Sequence, residues 1–431
     1  MREMKNSGIE WIGDIPSDWK ILRTKNFYSN HKHIVGDEAE NYERLALTLG
    51  GVIKRPKDDS TGLQPEAFEG YQILRENELV FKLIDLENVS TSRIGYSQYT
   101  GIVSPAYIVL SPKTAYESKF GEYYFLSMWQ REIFNYMGDD GVRSSLNSKD
   151  LLNIPYPSFS LEKKKRIADF LDEKCAEIDT VIEKTKATIE EYKKLKQSVI
   201  TQAVTKGIRP NRPMKDSGIE WIGEIPEDWE YRKLFRAIDN IGDIDHYMPN
   251  SVDEYGVPYL MTGDLKPKLS EIIFDKCKQV SNDNYILLSS KIRAEKGDVI
   301  FARYATIGTV CYVDIEKDFL VSYSCLTIKP SKKLLDGKFL FYYFQSVAFF
   351  EDIKQYINSN TQSNVGLDSM SKAKIVLPDI YEQKEIAEYL DKKCSEIDEL
   401  IAKKTALLSE LESYKKSLIY EYVTGKKEVT Q

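Results

Sequence analysis

Four loops of this 431-residue sequence concentrate side chains that can reach base edges and phosphates. In the first half they are Ser90-Thr91-Ser92-Arg93 with Tyr96-Ser97-Gln98, and Gly141-Val142-Arg143-Ser144-Ser145. In the second they are Arg303-Tyr304 with Thr306, and the amide-rich run Asn358-Ser359-Asn360-Thr361-Gln362-Ser363-Asn364. The chemistry these residues offer is recognition rather than bond breaking. A guanidinium donates two hydrogen bonds to guanine, a carboxamide pairs bidentately with adenine, and hydroxyl groups serve bases and phosphates alike. The candidate contacts are Arg93, Tyr96, Gln98, Arg143, Ser144, Arg303, Tyr304, Thr306, Asn360, Thr361 and Gln362. For any one loop taken alone, the plainer reading is a solvated turn.

Fragments that imitate catalytic motifs have structural explanations. Asn153-Ile154-Pro155-Tyr156 is similar to the loop of amino-methyltransferases, but Ile154 replaces a proline and no glycine-rich cofactor strand precedes it. Pro378-Asp379 followed by Glu382-Gln383-Lys384 has the outline of a magnesium nuclease site. It also opens a helix, where Asp379 as N-cap and Glu382 three residues on predict a capping box. The three histidines, His31, His33 and His246, do not repeat between the halves, so no shared general base exists. The five cysteines form no CxxC pair, which argues against zinc and disulfides. No metal site and no catalytic residue is expected.

What positions the loops is a duplicated scaffold. Lys5-Asn-Ser-Gly-Ile-Glu-Trp-Ile-Gly-Asp-Ile-Pro-Ser-Asp-Trp19 returns 210 residues later as Lys215-Asp-Ser-Gly-Ile-Glu-Trp-Ile-Gly-Glu-Ile-Pro-Glu-Asp-Trp229. Ile167-Ala-Asp-Phe-Leu-Asp-Glu-Lys-Cys175 returns 219 residues later as Ile386-Ala-Glu-Tyr-Leu-Asp-Lys-Lys-Cys394. From Leu161 to Lys206 there is no Pro or Gly, and apolar residues recur at 4-3 spacing. The seam includes Leu171, Ile178, Ile182, Ile189, Tyr192 and Val199. The second copy keeps the phase with Leu390, Ile397, Ile401, Leu408, Leu411 and Leu418. Thr185 and Lys196 interrupt the first seam, and Lys404 and Lys415 the second, at equivalent places.

Short β-rich runs over 78–83, 106–110, 298–303 and 324–328 precede these helices, with an aromatic helix predicted near 119–137 and another near 338–357. The fold class read from this pattern is α+β, with two pseudo-symmetric globular domains joined by two long helices in an antiparallel coiled coil. The expected boundaries are 1–158 for the first domain, 159–207 for the first helix, 208–378 for the second domain, 379–425 for the second helix and 426–431 for a tail. Full antiparallel overlap predicts that facing seam residues have numbers summing to about 593, pairing Ile182 with Leu411 and Tyr192 with Ile401. Lys404 and Lys415 then face Ile189 and Ile178 and must snorkel outward.

With 42% hydrophobic and 12% aromatic residues, the chain can bury substantial cores. A polar start and no run of eighteen apolar residues disfavour secretion and membrane spanning, so a cytoplasmic protein is expected. The formal net charge of −7 argues against nonspecific coating of nucleic acid, unless basic groups cluster on one face or a partner supplies phosphate contacts.

The paired openings at 7–19 and 217–229, the strand Gly297-Asp-Val-Ile-Phe-Ala-Arg303 and the repeated helix starts resemble the specificity subunit of type I restriction-modification enzymes. The likeness spans nearly the whole chain. It implies a noncatalytic subunit whose two target-recognition domains each read half of a split, asymmetric site in double-stranded DNA. It further implies two docked methyltransferase subunits, which use S-adenosylmethionine, and translocating nuclease (restriction) subunits, which use ATP and magnesium; no cofactor is expected in this chain. In that alignment Leu83 stands opposite Arg303, so no role for the arginine carries to the first domain. A DNA-independent coiled-coil adaptor is the rival from another class, but it leaves the divergence of the loops unexplained. A cryptic enzyme is a second rival.

Overall fold

The structure is a computed structural model, and it describes all residues except 1, 60–66, 87–92, 115, 138–144, 253–255, 305, 358–362 and 430–431. The chain divides into two compact units, Met1–Lys186 with Ala406–Gln431, and Ala187–Thr405.

Unit 1 opens on a hairpin of Met4–Asn6 with Asp14–Pro16. Its turn uses Gly8 and Gly13 at φ +72° and +67°, values that a side chain would strain. The hairpin sets Ile12, Ile15 and Trp19 into the core. Strand Lys20–Arg23 then pairs with Pro155–Ser158, so the beginning and end of the domain are stitched together. Between them lies an antiparallel four-stranded sheet in the order Tyr28–Ser29, Ile108–Pro112, Leu79–Lys82, Arg93–Tyr96. Helix Glu117–Gln130 covers it with Phe120, Tyr124 and Phe125, all fully buried.

Unit 2 repeats the frame. Its hairpin pairs Met214–Asp216 with Glu224–Pro226, and Glu230–Lys233 pairs with Lys374–Leu377. Its sheet runs Ile238–Gly242, Cys325–Pro330, Val299–Ala302, Val310–Tyr312. The pair Phe301 and Leu326 holds the register that Phe81 and Ile108 hold in unit 1. The insertions differ. Unit 1 adds the hairpin Leu45–Thr48 with Gly51–Lys54 and the pair Gln72–Leu74 with Gly101–Val103. Unit 2 adds a three-stranded sheet of Lys278–Val280, Val257–Leu260 and Leu320–Val321, and the helix Asn282–Ser289.

Both aromatic helices are broken, which corrects the single helices expected over 119–137 and 338–357. In unit 1 the helix stops at Gln130 and a 3-10 turn follows over Ile133–Tyr136. In unit 2 Gly337–Phe344 and Val347–Lys354 are separate because the Ser346 hydroxyl caps the second segment. The Val347 amide donates instead to Thr201 Oγ1 at 3.0 Å.

The long helices are Leu161–Lys206 and Ile380–Val423, each beginning in one unit and ending in the other. Gly207 and Gly425 end them with positive φ, the left-handed stop that glycine tolerates. Within unit 1, Leu171, Cys175, Ile178 and Ile182 share a core with Leu418, and Leu408 and Leu411 pack against it. Within unit 2, Leu390 and Cys394 share a core with Ile200 and Ala203, with Val199 packed alongside. Ile189 and Ile397 are buried, whereas Tyr192 and Ile401 are half-buried. Antiparallel pairing is fixed inside each unit by an ion pair: Lys415 to Asp179 at 2.6 Å, and Lys196 to Asp398 at 2.6 Å. The partners' numbers total 594 in both, one from the expected register. The interrupting lysines are therefore not simply opposed by apolar groups. Lys415 reaches past Ile178 to the next residue, and Lys196 does the same beside Ile397.

The expected capping box at 379–382 is half formed. The Asp379 carboxylate accepts from the amides of Tyr381 and Glu382, at 2.9 and 3.1 Å. The Glu382 side chain does not return to the cap. It is buried, accepting from the Trp229 indole at 3.0 Å and from Arg212 at 2.5 Å.

Candidate nucleic-acid interface

In each unit an isolated bridge ties together two segments that flank candidate loops, at one end of the four-stranded sheet. In unit 1 the chain leaves strand Leu79–Lys82 and Ile84 forms an isolated antiparallel bridge with Ser145. The Leu83 carbonyl accepts from the Leu146 amide at 3.2 Å. In unit 2 Tyr304 bridges Asn364, and the Arg303 carbonyl accepts from the Val365 amide at 3.1 Å. The two bridges are the same device at equivalent positions. They pin together segments that are distant in sequence.

The candidate residues fall into three groups. Arg143, Ser144, Asn360, Thr361 and Gln362 lie outside the described residues. Arg93 stands at the pinned end of the sheet, opposite Lys82 in the ladder. There burial, and then the charge of Arg93, holds the Lys82 ammonium below its ordinary value. Two cations side by side at the rim of a loop pair suit an anionic ligand. Tyr96 and Gln98 are not gathered with them. Tyr96 is opposite Leu79 at the far end of the strand, about 10 Å from Arg93 at 3.3 Å per residue. Its hydroxyl is bonded to Asn77, and Gln98 lies exposed beyond it.

In unit 2 Arg303, Tyr304 and Thr306 share the pinned end, but with different exposure. Thr306 is exposed in a turn where its carbonyl accepts from the Thr309 amide at 3.1 Å. Arg303 is only 6% exposed. Its guanidinium donates to Asp243 at 2.5 Å and to the Tyr323 carbonyl at 3.2 Å, and lies 5.0 Å from the Tyr304 ring centroid. This arginine organises the loop base, and truncating it leaves Asp243 with looser ion pairs such as that to Lys291 at 3.5 Å.

Three residues of that network had no signal in the sequence: Asp243, His246 and Tyr323. His246 stacks on Tyr323 at 4.8 Å and its Nε2 is 3.3 Å from Arg303. None has a counterpart in the first copy, so comparing the halves could not find them. A groove in unit 1 was also missed. It has a volume of about 540 Å³ and is lined by Tyr42, Glu43, Arg44, Lys54, Arg55, Pro56 and Lys57, with Lys54 paired to Glu43 at 2.6 Å. Lys54 lies over Tyr99 and Lys57 over Phe68, at 5.2 and 5.7 Å. The run Lys54-Arg55-Pro56-Lys57 was the available signal, a basic stretch beside aromatic residues.

All five cysteines are buried thiols, and burial pushes Cys311 and Cys325 up to about 12. Among the described residues no group of His, Cys, Asp and Glu could hold a metal ion, and no helix is long and apolar enough to cross a membrane.

Residues 226–411 match the family model described as the type I restriction modification DNA specificity domain. The chain is similar to a provisionally named MjaX specificity subunit of a type I restriction enzyme from Methanocaldococcus jannaschii, at 27% identity over 88% of this chain and 87% of that protein. The MjaVIII specificity subunit from the same organism is 26% identical over 87% of this chain and 86% of its own length. Among solved structures, one chain from work on assembly and conformational transition of the type I R-M system matches with a TM-score of 0.70. It has 14% identity and covers 96% of this chain and 99% of that one. The HsdS subunit from Thermoanaerobacter tengcongensis matches with a TM-score of 0.50 at 14% identity, over 96% of this chain and 98% of that one. At such identity these two likenesses concern the fold.

Proposed function

From the premise that this chain belongs to the DNA specificity subunits of type I restriction-modification systems, we propose that each unit reads one half of a bipartite, asymmetric site in double-stranded DNA. The chain is the noncatalytic, sequence-reading subunit. The observation that carries the division of labour is the matched pair of bridges, Ile84 with Ser145 and Tyr304 with Asn364. They tie two segments together at the same end of one frame, while the sequences of the candidate loops and the insertions around them differ. Identical loops would read a palindrome, so divergent loops on a repeated frame suit two different half-sites.

The remaining assignments follow from the same reading. Two methyltransferase subunits dock along the long helices and supply S-adenosylmethionine chemistry; restriction subunits supply ATP- and magnesium-dependent steps. A chain of net charge −7 makes sense in such an assembly, because partners add phosphate contacts. The long helices set the unread spacer. Adding one heptad to both is expected to lengthen it by about 3 base pairs, since seven residues rise about 10 Å. An unchanged spacer with full activity contradicts that role.

The test of the main reading is exchange of residues 20–155 for the corresponding segment of another specificity subunit, followed by mapping of methylated motifs with a cognate methyltransferase. One half of the motif is expected to change and the other to persist. Simultaneous change of both halves refutes separate reading.

A further inference from the structure

The two copies of the opening tryptophan differ in one respect that the repeat makes visible. In unit 2 the Trp229 indole N–H donates to Glu382, whose carboxylate also takes Arg212. Arg209 pairs with Glu385 close by at 2.8 Å. Glu382 and Glu385 at the foot of that helix thus each hold an arginine. In unit 1 the tryptophan and arginine recur as Trp19 and Arg2, but the two glutamates are replaced by Lys163 and Arg166. Trp19 is 1% exposed, and its indole N–H finds no acceptor among the described residues. A buried donor without an acceptor is costly, and native proteins rarely leave one so.

Trp19 also lines a cavity of about 50 Å³, together with Arg2, Lys163, Arg166, Lys427 and Glu428 among others. It is several times the roughly 10–15 Å³ that one water requires. Carboxylates take part of the positive charge: Asp18 accepts from Arg2 and Lys163, both at 2.7 Å, and Glu421 pairs with Lys427 at 2.8 Å. Glu428 stands 4.0 Å from Arg2. Among the described residues Arg166 donates to the Val429 carbonyl, at 3.5 Å. Four cations thus face three carboxylates, around a donor whose twin in the other copy holds a carboxylate. The cavity also adjoins the start of a 46-residue helix, whose dipole favours negative charge there.

We infer that unit 1 carries a site for a small oxyanion of the phosphate or sulfate class, seated where Glu382 places its carboxylate in unit 2. The anion accepts from the Trp19 indole and is held by Arg2, Lys163 and Arg166. Its role is to tie the opening segment, the start of the first long helix and the tail together at one point.

Thermal unfolding of the full chain in sodium phosphate, against sodium chloride at equal ionic strength, tests this directly. Phosphate near saturation is expected to raise the midpoint by about 4–8 °C, and the Trp19 indole N–H resonance is expected to shift on titration. Lys163→Glu copies the second unit: without phosphate it should be as stable as the parent with phosphate, and its response should vanish. Should that variant fold poorly, Arg166→Gln is expected to weaken phosphate binding about tenfold. An equal midpoint in the two salts with an unmoved Trp19 resonance overturns the site. So does a response that emerges only after the residues beyond Val429 are removed, since the chain's own end then fills the cavity.

Discussion

Beneath their aromatic helices the two units solve one packing problem with different chemistry. In unit 1 Lys164 is 1% exposed and its ammonium donates to Glu117 at 2.5 Å. Phe27, Tyr156, Phe120 and Phe159 surround it, with ring centroids at 4.1, 4.8, 5.5 and 5.5 Å. In unit 2 the same position is Gln383, which accepts from the Asp336 amide at 2.8 Å and donates to the Leu334 and Pro378 carbonyls. The surrounding positions change in concert: Ala237, Ile375 and Pro378 stand for Phe27, Tyr156 and Phe159. A cation needs the aromatic faces and the carboxylate, whereas an amide needs only backbone partners. What the copies share is backbone, register and the points where loops are pinned. Side chains are free to diverge when a whole shell diverges together.

The largest effect expected from breaking this comparison is in that shell. Lys164→Ala strands Glu117 in the core and should cost unit 1 about 3–5 kcal/mol in equilibrium denaturation. Gln383→Ala should cost about 1–3 kcal/mol, because neutral hydrogen bonds are lost. The double change Lys164→Met with Glu117→Gln should cost less than Lys164→Ala alone, as no buried charge is left unpaired. If the lysine and glutamine variants lose equal stability, the two shells are not different in kind.

A smaller effect concerns the exposed edge of the same helix. Burial, and then the charge of Asp172, push the Glu122 carboxyl up to about 7, while the Tyr96 amide donates to it at 3.1 Å. Phe341 stands at this position in unit 2. A raised carboxyl means that the folded chain binds the proton more tightly than the unfolded chain does. Its stabilising contribution is full below pH 4.5 and is lost as pH rises through 7. Glu122→Gln keeps the acceptor for Tyr96 and removes the titration. It should match the parent near pH 4.5 and exceed it by about 3 kcal/mol at pH 8. Parallel stability curves for the two proteins across this range would rule out the shift.

Much of the frame was legible because it is written twice. The repeated opening marked where each unit begins, though not that it folds as a hairpin, and the 4-3 stripe located both long helices and their register to within one residue. The polar content of the frame was less legible. The helix break at Ser346 depends on a cap and on Thr201, far away in sequence. The roles of Lys164 and Glu382 depend on partners contributed by other segments, and neither is repeated. The site was legible only as loop composition. That Arg303 is held by Asp243, while Arg93 sits beside Lys82, is a matter of tertiary environment that the residue type alone does not carry.

The most direct measurement on the central claim is the methylation motif produced when unit 2 is used twice. Replacing residues 4–166 with residues 214–385 keeps the shared frame, both long helices and the strand pairs that close each domain, and carries the Gln383 and Glu382 contacts along with their own shell. With its methyltransferase, this chain should modify a symmetric site in which the second half-sequence occurs twice in inverted orientation. A motif that remains asymmetric, or that retains the first half-sequence, contradicts the account.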